Sequence, residues 1–245
     1  MGPSGQELPR DRKEEQHYPD YGKRVKGVTR IGLVSEYFPP FCVGGAELST
    51  FQLARSVTQQ GHFVSVLTPN YGDVSKEVRE GIQICRFWFP QRLKSGELAK
   101  SRYLENPLFP LYLAVQIFLW AKRSRLDVLH AQNTHSVVGT FLAARLLKKR
   151  VIVSVRDFMI SDPPTVPEAP RRVRFPFRGF FVEKIHRFNS KCRRAALSRA
   201  DEVVFVSLFL KTHYLNRGTL LRGRCHVIYN LPPDVDGSSV GVEEM

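Results

Sequence analysis

Apolar and polar positions alternate along this chain in two periods that take turns. Arg30 to Ser35 (RIGLVS) is a short β-rich run that breaks at Phe38-Pro39-Pro40. Gly44-Gly45 then opens an amphipathic segment with Leu48, Phe51, Ala54 and Val57 on one face, which stops at Gly61. A second β-rich run, Phe63 to Thr68, follows at once. A strand, a glycine loop, a helix and a strand in that order form the unit of a parallel sheet.

The alternation continues. Gly81 to Phe89 (GIQICRFWF) predicts a third strand, and Gln91 to Asn106, polar and without period, a surface excursion. Leu108 to Arg125 reads as a buried helix closing in Lys122, Arg123 and Arg125, cations that suit a helix C-terminus. Asp127 to Ala131 is a short strand, Val137 to Lys149 a helix, and Arg150 to Val155 an almost wholly apolar strand of the kind found in the middle of a parallel sheet. Beyond a proline-rich loop running to about Pro176 come a basic helix (Phe180 to Arg199), a strand (Ala200 to Ser207), a helix (Leu208 to Asn216) and a last strand (His226 to Tyr229). Strands alternating with helices predict an α/β fold: a doubly wound, mostly parallel sheet forming one Rossmann-like domain over residues 28–230. Residues 1–27, charged and aperiodic, read as a disordered leader, and 231–245 as a polar tail or the start of a linker.

In such sheets ligands bind at the carboxyl ends of the strands. The Gly44-Gly45 loop, the stretch His130 to His135 and the pair Arg156-Asp157 all follow strand ends, so they are expected to converge on one cleft. A glycine pair at a helix start lets backbone N–H groups approach an anion where the helix dipole favours negative charge. The same pair also serves for a tight turn alone.

Composition narrows the class. A chain of 245 residues with 42% hydrophobic and 24% charged content has room for a proper core and an ordinary globular make-up. The formal charge of +14 implies an anionic partner without choosing among nucleic acid, lipid headgroup and phosphorylated substrate. Cys42, Cys85, Cys192 and Cys225 are scattered and form no C-x-x-C, so neither zinc site nor disulfide framework is expected and a reducing, cytoplasmic location is the default. The N-terminus has no apolar signal region. The most apolar run, Leu108 to Ala121, carries Pro110 and Gln116 and falls short of the ~20 residues a membrane span needs.

Taken in order, IGLVSEYFPPFCVGGAE, QQGHFVSVLTP, DVLHAQ, VIVSVRDF and ADEVVFVSLFLKTHY…HVIYN resemble the N-terminal domain of family-4 (group 1) glycosyltransferases with the GT-B fold. The resemblance covers about Thr29 to Asn230. It implies two Rossmann-like domains facing across a cleft, the N-terminal one holding mainly the acceptor and the C-terminal one the nucleotide-sugar. It further implies transfer with retention of anomeric configuration, a nucleotide-sugar as co-substrate, and no cofactor or metal. Gly44 and Gly45 then match the loop that approaches the donor diphosphate. Arg156 stands where the family often has a histidine, and Asp157 follows it; these two become the catalytic candidates. Arg156 would neutralise the leaving diphosphate, and Asp157 would orient Arg156 or accept from a sugar hydroxyl. His130, Asn133 and His135 are the cleft or acceptor candidates. The family's second domain, with its glycine-containing E-x7-E motif, is expected after HVIYN. The pairs Glu7 with Glu15 and Glu97 with Glu105 have the spacing but neither the glycines nor a preceding strand. The expectation is a chain without most of its donor site and inactive without a separate GT-B C-terminal domain.

Plainer roles stand beside these. Glu47 lies in the first turn of its helix, where the dipole favours a carboxylate. His130 follows an apolar strand and reads equally as a satisfied core histidine. Arg156 and Asp157 can form a structural ion pair, Ser207 reads as a helix cap, and Asn230 as a hinge. From Arg171 to Arg199 basic residues, among them Arg171, Arg172, Arg174, Lys184 and Arg187, interleave with aromatic ones. That pattern fits a solvated helix face or a surface peripheral to an anionic membrane on its cytoplasmic side. The alternative function is accordingly a non-catalytic module that binds membrane or a partner protein through this face. Nucleic acid ranks last, because no helix-turn-helix, zinc finger or RNP-type strand accompanies the charge.

Overall fold

The computed structural model describes residues 27–94, 96–104, 106–158 and 176–230. The leader through Lys26, the proline-rich loop with Arg171, Arg172 and Arg174, and the tail from 231 onward lie outside the described residues. In chain order the elements are β1 (Arg30–Val34), α1 (Gly45–Gln59), β2 (Phe63–Asn70), β3 (Lys76–Arg79), β4 (Ile82–Trp88), α2 (Ser101–Leu104) and α3 (Phe109–Arg123). They continue with β5 (Val128–Ala131), α4 (Ser136–Leu147), β6 (Arg150–Val155), α5 (Pro176–Ser198), β7 (Glu202–Phe205), α6 (Leu208–Asn216) and β8 (Arg224–Val227).

The strands form one sheet in the order β3-β4-β2-β1-β5-β6-β7-β8. β3 is antiparallel to β4, and every other pairing is parallel. The order runs outward in both directions from β1 and β5, so the connections after those two strands diverge and leave a crevice at their carboxyl ends.

β3 is absent from the sequence reading. Glu80 and Gly81, at φ 52° and 77°, make a two-residue turn between Arg79 and Ile82. Both central residues have positive φ, as the hairpin turns that match strand twist require. A four-residue strand facing solvent carries too little period to register. β8 begins two residues earlier than expected and α5 four residues earlier. The Gln91–Asn106 stretch is less superficial than its polarity suggests. Ala99 and Leu104 are buried, the Ala99 N–H donates to the Tyr37 hydroxyl (2.8 Å), and the Leu93 N–H donates to the Tyr71 carbonyl (2.9 Å).

Two apolar clusters mark the two faces of the sheet. Neighbours on one strand fall on opposite sides: Leu33 and Val66 in the smaller cluster, Val34 and Leu67 in the larger. The smaller cluster lies under α1, through Ala54, Phe51 and Val57. The buried stripe of α1 centres on Glu47, Thr50 and Ala54, and Leu48 is exposed. The larger cluster takes α3, α4 and the end of α5, and reaches α6 through Leu210 and Tyr214, whose ring packs on Phe205 at 5.7 Å. The helices are therefore shared unequally between the faces. On the α1 side Ile152 and Val204 remain half-buried and Ile228 exposed, while Arg150, Arg224 and His226 gather around Glu202. The α3 expectation needs the same correction. Leu113, Ile117 and Trp120 are buried, but Leu111, Val115 and Leu119 on its other side are exposed, so α3 is buried on one side only.

Candidate functional site

The convergence expected at the carboxyl ends of the strands is what the fold produces. Arg156, the first residue after β6, reaches across to the opening turn of α1. Its Nη1 donates to the Ala46 carbonyl (3.0 Å) and to the Ser49 hydroxyl, and its Nη2 donates to Gln132 Oε1 (2.6 Å). Arg156 thus ties together α1, the fully buried Gln132 just past β5 and the chain leaving β6. Burial lowers the pKa of Arg156 to about 10, against a favourable contribution from the nearby Glu47 carboxylate; the side chain stays cationic at neutral pH. Arg156 Nε and Gln132 Nε2 are buried and have no hydrogen-bond partner among the described residues. Buried donors without an acceptor, on two side chains that are themselves hydrogen-bonded to each other, are costly, about 1–3 kcal/mol each, unless something accepts from them.

Glycine is not required by the backbone at Gly44, which is extended (φ −164°), and Gly45 is free of positive φ. A Cβ on Gly45 would meet nothing within 4 Å, and one on Gly44 only Glu47 Oε2 at 3.8 Å. The glycines are therefore not explained by turn geometry. Their effect is to leave the start of α1 unobstructed toward solvent. Glu47 carries the local cap: its carboxylate accepts the Gly44 N–H (2.8 Å).

The other candidates take quieter positions. Asp157 accepts from the Thr134 hydroxyl (2.9 and 3.0 Å), and its carbonyl accepts from the Tyr214 hydroxyl (3.0 Å), so it ties the β5–α4 loop and α6 to the end of β6. Asn133 Oδ1 accepts from Ser35 Oγ (2.9 Å) and from the Glu36 N–H (3.1 Å). One oxygen of Glu36 accepts from the His135 backbone N–H and lies at 2.8 Å from His135 Nδ1. Burial alone would raise the Glu36 pKa, but the His135 charge and hydrogen bonds outweigh it and the net shift is downward. Asn133 and His135 are thus used to lock the β1 and β5 loops together on either side of the crevice. His130 is buried with its Nε2 2.9 Å from Ser154 Oγ, and burial, reinforced by the charge of Arg156, pushes its pKa down to about 3. It is neutral at physiological pH.

His130, Ser154 and Arg156 line one side of a cleft of about 160 Å3, with Ser49, Gln52 and Ser56 of α1 and Ile228 to Asn230 around it. A larger cavity of about 440 Å3 lies between the C-terminal half of α3 and the β3–β4 edge, away from the converging loops. Lys184 and Arg187 are exposed on α5. Glu36, Gln132, Ser49 and Thr134 were not singled out by sequence; their only signal is position, one to three residues past a strand or in the first turns of α1.

Residues 43–231 match the family described as Glycosyltransferase Family 4. Among curated proteins, an uncharacterized 42.6 kDa protein in the cps region of Klebsiella pneumoniae is 26% identical over 141 residues, covering 54% of this chain and 38% of that protein. Among solved structures, a sucrose-phosphate synthase from Thermosynechococcus elongatus superposes with a TM-score of 0.55 at 15% identity, over 82% of this chain and 48% of that one. The catalytic domain of starch synthase IV from Arabidopsis thaliana, bound to ADP and acarbose, gives 0.51 at 11% identity over 83% and 52%. The chain spans about half the length of these structures, or less of the curated relative. It belongs to glycosyltransferase family 4, and its fold is that of the N-terminal part of GT-B glycosyltransferases.

Proposed function

We propose that this domain is the acceptor side of a retaining glycosyltransferase, which moves a sugar from a nucleotide-sugar to an acceptor and is inactive until a second GT-B domain supplies the rest of the donor site. The observation that carries the reading is Arg156, anchored under the first turn of α1 and bonded to Gln132, with its own Nε and the Gln132 Nε2 both buried and unpartnered. A cation and free donors there, next to a helix start kept clear by Gly44 and Gly45, suit an anionic group that accepts hydrogen bonds. The donor diphosphate is such a group. In the transition state the glycosidic C–O bond breaks and negative charge builds on the diphosphate oxygen. A fixed guanidinium in a partly buried site favours that charge without reorganising.

The terminal nitrogens of Arg156 already hold Ala46, Ser49 and Gln132. In this reading Arg156 therefore both sets the position of the glycine loop and supplies the charge, and Asp157 holds the β5–α4 loop through Thr134. His130, neutral and bonded to Ser154, shapes the cleft wall instead of moving protons. Support for a half-site comes from size. A cleft of about 160 Å3 is smaller than the roughly 300–1,000 Å3 of pockets that enclose a small organic ligand. It also agrees with the share of the solved structures that the chain covers. The reading takes a nucleotide-sugar as co-substrate and no separate cofactor.

Titration of the chain with ADP and with UDP, followed by amide NMR, tests the first step. Shifts concentrated at residues 44–46 and at Arg156, and lost in Gly45→Val, are expected. Shifts confined to another part of the surface, or none at millimolar nucleotide, overturn the diphosphate loop. Sugar transfer assayed with a GT-B donor domain supplied tests the second. An Arg156→Ala protein as active as the parent removes Arg156 from the reaction.

A further inference from the structure

Helix α3 is apolar on the side that faces solvent as well as on the side that faces the sheet. Leu111 and Val115 are 56% and 55% exposed, Leu108 just ahead of the helix is 66% exposed, and Leu119 extends the row by one more turn. Spacings of three and four residues put these side chains on one stripe. The stripe does not end at the helix edge. Leu111 also lines an apolar cleft of about 320 Å3 between α3, α4 and α5, whose other walls include Phe141, Leu142 and Phe188, the last 57% exposed. One turn along α4 from Leu142, Leu146 is exposed as well. Singly exposed leucines are unremarkable, but a continuous row leading into an apolar groove marks an interaction surface.

The charge of the same layer is one-sided. α3 and α4 contain no Asp or Glu, and α5 contains Glu183 alone against six Lys or Arg, of which Lys184, Arg187, Lys191 and Arg194 are exposed. The other acids of the described residues lie off these helices: Glu47 on α1, Glu77 and Glu202 on β3 and β7, and the rest in loops and turns. We propose that the α3–α4–α5 layer is a docking surface for an anionic phospholipid bilayer, with the α3 stripe and the Phe188 groove entering the headgroup boundary and the α5 cations resting on the lipid phosphates. An apolar row framed by cations, on a helix layer with a single acid, is the arrangement that binds such a surface. A protein partner complementary to this layer would have to be both apolar and strongly acidic, whereas an anionic membrane is both by composition. Among the described residues no helix is long and apolar enough to cross a membrane, so the layer lies on the bilayer. The proposal uses no residue of the cleft and stands independently of the transfer reading.

Co-sedimentation of the full chain with vesicles tests it, comparing phosphatidylcholine alone with phosphatidylcholine containing a third of phosphatidylglycerol, at low and high salt. Binding at least tenfold stronger to the anionic vesicles and falling with salt is expected. Lys184→Glu with Arg187→Glu should weaken it by roughly fivefold per charge removed, and each introduced acid should weaken it further. Leu111→Gln with Val115→Gln should weaken it at both salts, while Leu220→Gln, exposed but outside the three helices, should leave it unchanged. The charge pair decides the matter even if the apolar pair fails to fold. Equal binding to neutral and anionic vesicles overturns the proposal, as does undiminished binding of both double variants. Oligonucleotide binding without vesicle binding, or a dimer that the Leu111/Val115 variant dissolves, overturns it in favour of another occupant. Nucleotide titration at the α1 loop is read separately, so either reading can fail without the other.

Discussion

The most direct consequence of the site's burial is a loss of stability in mildly acid solution that belongs to His130. Its imidazole is buried against Ser154 and near the Arg156 cation, with a folded pKa of about 3 against an ordinary 6.5. Because the folded pKa is depressed, the unfolded chain takes up the proton first. The stabilising contribution of neutral His130 is present above pH 6.5 and is lost as pH falls from there toward 3. Within that window each tenfold rise in proton concentration costs about 1.4 kcal/mol, so between pH 7 and pH 5 the loss is about 2 kcal/mol. Urea unfolding of the parent and of His130→Gln at pH 7, 6 and 5 isolates this contribution. The glutamine variant keeps a polar partner for Ser154 but does not titrate, so the parent's stability relative to the variant should fall by about that amount over the range. Glu36, whose pKa is lowered from an ordinary 4.5, is common to parent and variant and cancels in the comparison. Stability curves for parent and variant that stay parallel from pH 7 to 5 would refute the reasoning, and so would a His130 ring resonance that titrates near pH 6.

Three further outcomes follow from contacts elsewhere in the fold. Glu36→Gln should cost about 1.5–3 kcal/mol at pH 7 by weakening the charge-assisted bonds to His135, and the cost should disappear as pH drops below about 4.5 through the lowered folded pKa, measured by denaturant unfolding. Ser207→Ala removes the side chain that accepts from the Leu210 N–H (3.1 Å) at the start of α6, and should cost about 1 kcal/mol in the same assay, with Ser207→Asp restoring most of it. Gly32→Ala, in the middle of β1, places a Cβ 2.5 Å from Leu126 Cδ1 and 2.7 Å from Trp120 Cη2. It should destabilise by about 1–3 kcal/mol through overpacking, and Trp120→Phe should relieve part of that.

Much of the scaffold was legible because it rests on local period. Apolar runs such as Phe63 to Thr68 and Arg150 to Val155 are short and rich in β-branched residues, which marks them as strands, and the glycine and lysine boundaries of α1 and α4 are chemical stops. β3 was not legible, since its pairing depends on the Glu80-Gly81 turn and not on its own four residues. The inward and outward sides of α3 were not legible either. FPLYLAVQIFLWAKR is apolar all round, and only the sheet shows that Leu113, Ile117 and Trp120 are covered while Leu111 and Val115 are not.

The sequence by itself determined the alternation of strands and helices, and with it which loops stand at the carboxyl ends of the strands. That is a matter of main-chain geometry: a parallel strand followed by a helix must turn at its carboxyl end, so Gly44-Gly45, Asn133 to His135 and Arg156-Asp157 had to share one edge. What each residue does there was decided by tertiary structure. Asn133 and His135, offered as acceptor contacts, lock loops through Ser35 and Glu36, and Glu36 itself carried no signal. Arg156 finds Ala46, Ser49 and Gln132 from more than a hundred and from twenty-four residues away, and its unpartnered Nε exists only because those contacts bury it. Hydrogen-bond partners and burial are pairwise properties between distant segments, and a linear pattern holds the donors without saying which of them will be left over.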